Sequence, residues 1–133
     1  VEAQLQASIT DALTASLNYT NMDSKDLVAQ DALTRRPRNR GNAILTWAPT
    51  SRWSLGGSVS YTGREVDQYD SSTTPPTAFI NGSHTVANLF GQYNFDHWSV
   101  YARVENLFDQ QYEPLIGYGA PGRSAFVGIR VNE

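Results

Sequence analysis

Val104-Glu105-Asn106-Leu107-Phe108-Asp109, then Tyr112, Gly117-Tyr118-Gly119, Gly122-Arg123 and a final run to Val131, is the stretch on which the fold turns. It reads as one strand ending, a loop, and another strand. Asp109, Pro114, Gly117, Gly119, Pro121 and Gly122 supply the turn chemistry in the middle. Beyond them Ala125, Val127, Ile129 and Val131 alternate with Phe126, Gly128 and Arg130. A period of two gives the strand one apolar face and one mixed face. What covers the apolar face, a protein core or lipid, decides the class of molecule.

The same alternation runs back through the chain. Ala3, Leu5, Ala7 and Ile9 alternate with polar residues over 1–10, and Leu13, Ala15, Leu17 and Tyr19 do so over 13–20. A third strand is predicted from about Arg36 to Trp47, and a fourth from Trp53 to Arg64 with Leu55, Val59 and Tyr61 on one face. A fifth covers about Ser83 to Phe95, a sixth Trp98 to Glu105, and the seventh is the terminal run. The polar stretch from Asn21 to Thr34 reads mainly as loop, with room for a short helical turn around Leu27 to Leu33. The expectation is an all-β, antiparallel up-and-down meander.

Composition excludes several classes. No run approaches the roughly 20 apolar residues of a spanning helix, and the net charge of -3 gives no reason to expect nucleic acid. Without cysteine there is no disulfide framework or thiolate metal site. His84 and His97 have no companion at metal-ligand spacing, and no nucleophile elbow or acid–base carboxylate pair stands out. No cofactor and no catalysis are expected.

Connection lengths carry more information. They alternate short (10–12), long (21–35), short (48–52), long (65–82), short (96–97) and long (107–122). Outer-membrane barrels sort their connections in this way, with short periplasmic turns and long external loops. Trp47, Trp53 and Trp98 all lie beside short turns, and Tyr19 and Tyr61 near the other end, as two interfacial aromatic girdles would. Arg38, Arg40, Arg103, Glu105 and Arg130 share the polar face, too many charges for a small dry core. The expectation is therefore about seven long transmembrane strands in the bacterial outer membrane, with lipid against the apolar face. A soluble ligand-binding β-barrel and a small structural or adhesion outer-membrane barrel are the competing readings. Seven strands are an odd number, and a complete bacterial barrel has an even one. Residues 1–133 are thus expected to be the C-terminal segment of a larger barrel.

Asn106-Leu107-Phe108-Asp109 with Tyr112 resembles the signature before the last strand of TonB-dependent outer-membrane receptors. Arg35-Arg36-Pro37, Trp47-Ala48-Pro49 and Tyr61-Thr62-Gly63-Arg64 are similar to strand and turn phrases of that family. Gly117-Tyr118 followed by Gly122-Arg123 looks closest to the vitamin B12 (BtuB-like) receptors, with ferric-siderophore receptors next. The resemblance implies a 22-stranded barrel, a plug domain and TonB box lying outside this segment, and uptake of a scarce metal chelate. Cobalamin is the expected chelate and a ferric siderophore the alternative. Implied partners are the lipid bilayer, the rest of the barrel and plug, the TonB complex and the chelate. Family members usually end in an aromatic residue, whereas position 133 is Glu133.

Candidate sites follow from placement. Tyr118 in the last long connection, and Tyr69 and Phe79 in the one before it, are expected ligand contacts. Arg38, Arg40, Arg103 and Glu105 are expected to face the lumen and plug. Arg35, Arg36, Arg38 and Arg40 form a basic cluster that reads either as an anion site or as a solvated rim paired with carboxylates such as Asp67 and Asp70. Asp23, Asp26 and Asp31 lack the rigid spacing of a calcium loop.

Overall fold

The computed structural model describes residues 1–26 and 31–131. The helical turn weighed against loop at 27–33 falls largely on residues outside these, as does Glu133. Among the described residues nine strands form: β1 (Glu2–Ser8), β2 (Leu13–Asn21), β3 (Asn39–Trp47), β4 (Trp53–Thr62), β5 (Glu65–Asp70), β6 (Thr77–Asn81), β7 (His84–Asn94), β8 (Trp98–Glu105) and β9 (Ser124–Val131). Seven make one antiparallel sheet in the order β1-β2-β3-β4-β7-β8-β9, and β5 pairs only with β6.

This corrects the expected fold class. The chain forms two separate open sheets, of seven and two strands, and not a closed 22-stranded transmembrane barrel. β1 and β9 each pair on one side only, so the larger sheet keeps two free edges. The connection 65–82, expected as plain loop, folds into the β5–β6 hairpin. Its tip is fastened locally. Asp70 Oδ1 accepts from the Ser72 backbone N–H (2.9 Å) and hydroxyl (2.6 Å), and Thr73 Oγ1 accepts from the Thr77 N–H (2.9 Å). The two bonds from Ser72 hold the Asp70 carboxyl below its ordinary value.

Cross-strand register sorts the side chains of the large sheet. One row runs Ala7, Ala15, Leu45, Gly57, Leu89, Val104 and Ala125 from strand to strand, and the next Leu13, Trp47, Leu55, Gly91, Ala102 and Val127. The opposite face carries Gln4, Asn18, Asn42 and Ser60 in one row. Because side chains alternate, all apolar rows share one face. Nothing in the described residues covers it. No hydrophobic side chain is buried, and Leu5, Ile129 and Val127 remain 61%, 68% and 77% exposed. A continuous apolar face of this extent is far beyond what a soluble monomer leaves to water.

The polar face has its own packing. The Phe90 ring lies across Gly56, where a Cβ would come within 2.5 Å of it. Tyr101 lies across Gly128 in the same way, closer still. Each glycine sits directly opposite its aromatic partner, so its missing side chain is the space the ring occupies.

Candidate functional site

The three long connections gather at one end of the sheet, and the β5–β6 hairpin is what they gather around. Its ladder slips between Val66 and Gln68, which leaves Asp67 as the residue without a cross-strand partner. A bulge re-aims the side chain at which it occurs. Asp67 is turned inward and is only 5% exposed. Its Oδ1 accepts from Arg35 Nε at 3.2 Å, and its Oδ2 accepts from the Ile116 backbone N–H at 3.3 Å. Arg35 belongs to the connection after β2 and Ile116 to the one after β8, so a single carboxylate spans two loops. Arg35 itself adopts a left-handed conformation (φ 57°) and donates its N–H to Val66 O at 2.7 Å.

Further bonds tie the same elements. The Tyr69 hydroxyl donates to Ala32 O at 2.9 Å, and Asn81 Nδ2 donates to Glu113 O at 2.6 Å. The His84 ring stacks on Tyr112 with centroids 4.1 Å apart. Among the described residues, the buried side-chain atoms Glu65 Oε2 and His84 Nδ1 make no hydrogen bond. Burial pushes the Glu65 carboxyl above its ordinary value. Arg40 opposes that shift, Asp67 adds to it, and His84 and Arg35 oppose it more weakly.

Asn106 organises the last connection. It is 4% exposed and left-handed (φ 52°). Its Nδ2 donates to Gln110 O (3.0 Å) and Pro121 O (3.2 Å), and its Oδ1 accepts from the Gln110 N–H (2.8 Å). Its own N–H donates to Asn88 Oδ1 at 2.9 Å. Asp109, also left-handed (φ 54°), accepts the Arg123 N–H at 2.8 Å. A Cβ on Gly122 would lie 2.7 Å from that same carboxylate oxygen.

The residues singled out from the sequence are placed as follows. Arg38 lines a cavity of about 220 Å³ with Arg36, Arg64, Met22, Glu65 and Ile80. Arg40 lies on the polar face beside Thr20 and Thr62. Arg103 Nε pairs with Glu105 Oε1 at 3.2 Å on that face, and its guanidinium sits 4.5 Å from the Phe126 ring centroid. Tyr118 is 71% and Phe79 42% exposed, while the Tyr69 hydroxyl is engaged by Ala32. The three do not share that cavity. On the apolar face Tyr19, Gly41 and Tyr61 form one row near the long connections. At the other end Trp53, Tyr93, Phe95 and Trp98 touch in sequence, with centroids 4.7, 4.7 and 3.8 Å apart, and Trp47 pairs with Leu55 nearby. Asp67 and Arg35, expected at most as a rim pair, carry the geometry of this end together with Asn106 and the His84–Tyr112 pair, which were not expected as site residues. The left-handed positions at Asn106 and Asp109 had a signal in the asparagine and aspartate of the quoted motif.

A family described as TonB dependent receptor-like, beta-barrel, matches residues 1–107. The chain belongs to that family. Among solved structures it is similar to the ferric enterobactin receptor of Pseudomonas aeruginosa, with 25% identity and a TM-score of 0.81 over 96% of this chain and 21% of that one. It is also similar to the ferripyoverdine receptor of the outer membrane of Pseudomonas aeruginosa (16%, 0.79, 96% of this chain and 18% of that one). The ferric-catecholate import receptor Fiu of Escherichia coli K12 gives 19% and 0.75, over 96% of this chain and 20% of that one. The chain thus spans about a fifth of the length of these receptors.

Two expectations about the family are corrected here. The resemblance to vitamin B12 receptors gives way to similarity with receptors for ferric siderophores. The placement as the C-terminal part of a closed barrel gives way to the two open sheets described above. The glycine-rich segment that suggested cobalamin has a local explanation. Gly117 is left-handed (φ 87°) and donates its N–H to Glu113 Oε2 at 2.8 Å, and Gly122 clears the Asp109 carboxylate. These glycines serve the turn.

Proposed function

We propose that this chain is part of an outer-membrane receptor that takes up a ferric siderophore or a comparable metal chelate with energy delivered through TonB. The observation that carries the reading is the two-faced sheet. An apolar face with no core behind it suits lipid, and the opposite face of amides, hydroxyls and paired charges suits water. The 25% identity to a ferric enterobactin receptor favours a siderophore over cobalamin.

In this reading Trp47, Trp53 and Trp98 sit at one membrane interface, and Tyr19 and Tyr61 at the other. Arg38, Arg40, Arg103 and Glu105 face the aqueous side and the receptor's own plug. The long connections, with Tyr118 and Phe79 exposed on them, meet the chelate.

The test is equilibrium binding to the full-length receptor in detergent, following tryptophan quenching. A ferric catecholate siderophore should saturate the signal at micromolar concentration or below, and cyanocobalamin should not. Saturation by cyanocobalamin with no response to ferric siderophores would overturn the reading.

A further inference from the structure

The β5–β6 hairpin makes no ladder with the large sheet. Its position therefore depends on loop and side-chain bonds, among them those of Val66, Tyr69 and Asn81, and one residue reaches both neighbouring connections. Asp67 is the bulge residue, is buried, and offers each carboxylate oxygen to a different long connection. We propose that Asp67 is a positioning residue of the ligand-binding mouth, a clasp that holds the 107–122 connection, and with it Tyr118, in register with the Arg35–Arg40 segment. The purpose of that positioning rests on the receptor reading above, while the clasp itself does not.

The chemistry favours a clasp over a merely structural contact. A buried carboxylate needs its lone pairs satisfied. Asp67 has one cationic donor, Arg35, on a side chain that is 58% exposed, and one neutral donor, the Ile116 N–H. The bond from the 107–122 side is thus a single backbone amide, easily lost and remade. On the N-terminal side of Ile116 the connection is also tied by the bond from the Leu107 N–H to Ala87 O (2.8 Å), the Asn81–Glu113 bond and the His84–Tyr112 stack, and on the far side of Tyr118 Pro121 O accepts from Asn106 Nδ2. Beyond Ile116, Tyr118 is held by a turn bond to Leu115 O (2.9 Å). Gly117 is held in turn by its bond to Glu113 Oε2 (2.8 Å), within the connection itself. Among the described residues Asp67 is therefore the last tie from the hairpin to this connection before the exposed tyrosine. Ordinary sheet pairing would have aimed position 67 along the ladder, whereas the bulge frees it to reach both loops.

The clasp is tested in the full-length receptor bearing Tyr118→Cys, by the rate of maleimide labelling without any chelate. Asp67→Ala should raise that rate several-fold or more. Asp67→Asn should give an intermediate rise, because its amide can accept from only one of the two donors and opposes the other. Arg35→Ala, which removes only the cationic arm, should also raise the rate and guards against a misfolded Asp67 variant. A second reporter, Ser72→Cys on the far tip of the hairpin, should label at an unchanged rate in all three. Labelling at position 118 that stays at the parent rate in a folded Asp67→Ala receptor overturns the proposal, as does an equal rise at both reporter positions. A failure to bind siderophores would instead sink the receptor reading and leave these rates untouched.

Discussion

Replacing Asn106 by alanine tests whether the 107–122 connection is built around one side chain. The substitution removes three hydrogen bonds, two donated by Nδ2 and one accepted by Oδ1. At about 1 kcal/mol each they amount to about 3 kcal/mol. Alanine must also hold φ near 52°, which costs a residue with a Cβ about 1 kcal/mol where asparagine is tolerated. The total, about 4 kcal/mol, corresponds to about a thousandfold rise in opening of the loop. Hydrogen exchange at the Gln110 amide, which bonds directly to Oδ1, reads that opening. Asn106→Gly separates the two parts, since glycine loses the bonds but not the backbone preference, and should exchange about fivefold more slowly than the alanine variant. If both variants leave Gln110 exchange within about threefold of the parent, the connection is held by something else and the reasoning fails.

Two further outcomes follow from the geometry. Glu65 has its carboxyl raised by burial, so its proton is held more tightly in the folded state than in the unfolded one. Stability should fall as pH rises from the ordinary glutamate range through the raised value, then level off. Glu65→Gln should remove that slope and gain stability at neutral pH, as measured by urea unfolding across about pH 4 to 8; a slope that survives the substitution points to another group. Gly128→Ala drives a Cβ into the Tyr101 ring and should cost about 1–3 kcal/mol in the detergent-folded protein. Adding Tyr101→Ala should recover most of that loss in the double-mutant cycle, and purely additive effects would refute the contact.

Strands were legible in the sequence wherever alternation was uninterrupted. The edges of β4 and β8 could be read because Trp53 to Tyr61 and Trp98 to Val104 keep strict parity between turn residues. The β5–β6 hairpin was not legible, for a physical reason. A bulge at Asp67 shifts the parity in the middle of a six-residue strand, so no run of a single period exists to be seen. That β5 and β6 form a sheet of their own was hidden too, because alternation identifies faces and says nothing about which edges meet.

The site divides along the same line. Arg103 and Glu105, two positions apart on one strand, were placed together by periodicity and form an ion pair. The pairing of the arginine cluster with loop carboxylates is realised at Arg35 and Asp67, whereas Asp70 turns instead to Ser72. Tyr69, offered as a ligand contact, is occupied by a backbone carbonyl, since its strand lies against the Ala32 loop. Such long-range meetings depend on how three loops fold over one another, which local pattern does not encode.

The clustering of indoles at the short-turn end has an optical consequence. Trp47, Trp53 and Trp98 are the three tryptophans of the chain, and all lie near one level of the sheet, two of them joined through Tyr93 and Phe95 into a continuous ring stack. Their emission therefore samples a single depth, and Tyr93 lies close enough to pass its excitation to Trp53. Were the sheet to lie in a bilayer as proposed, brominated lipids carrying the heavy atom at graded positions along the acyl chain would extinguish all three together, making this end of the sheet a built-in depth gauge.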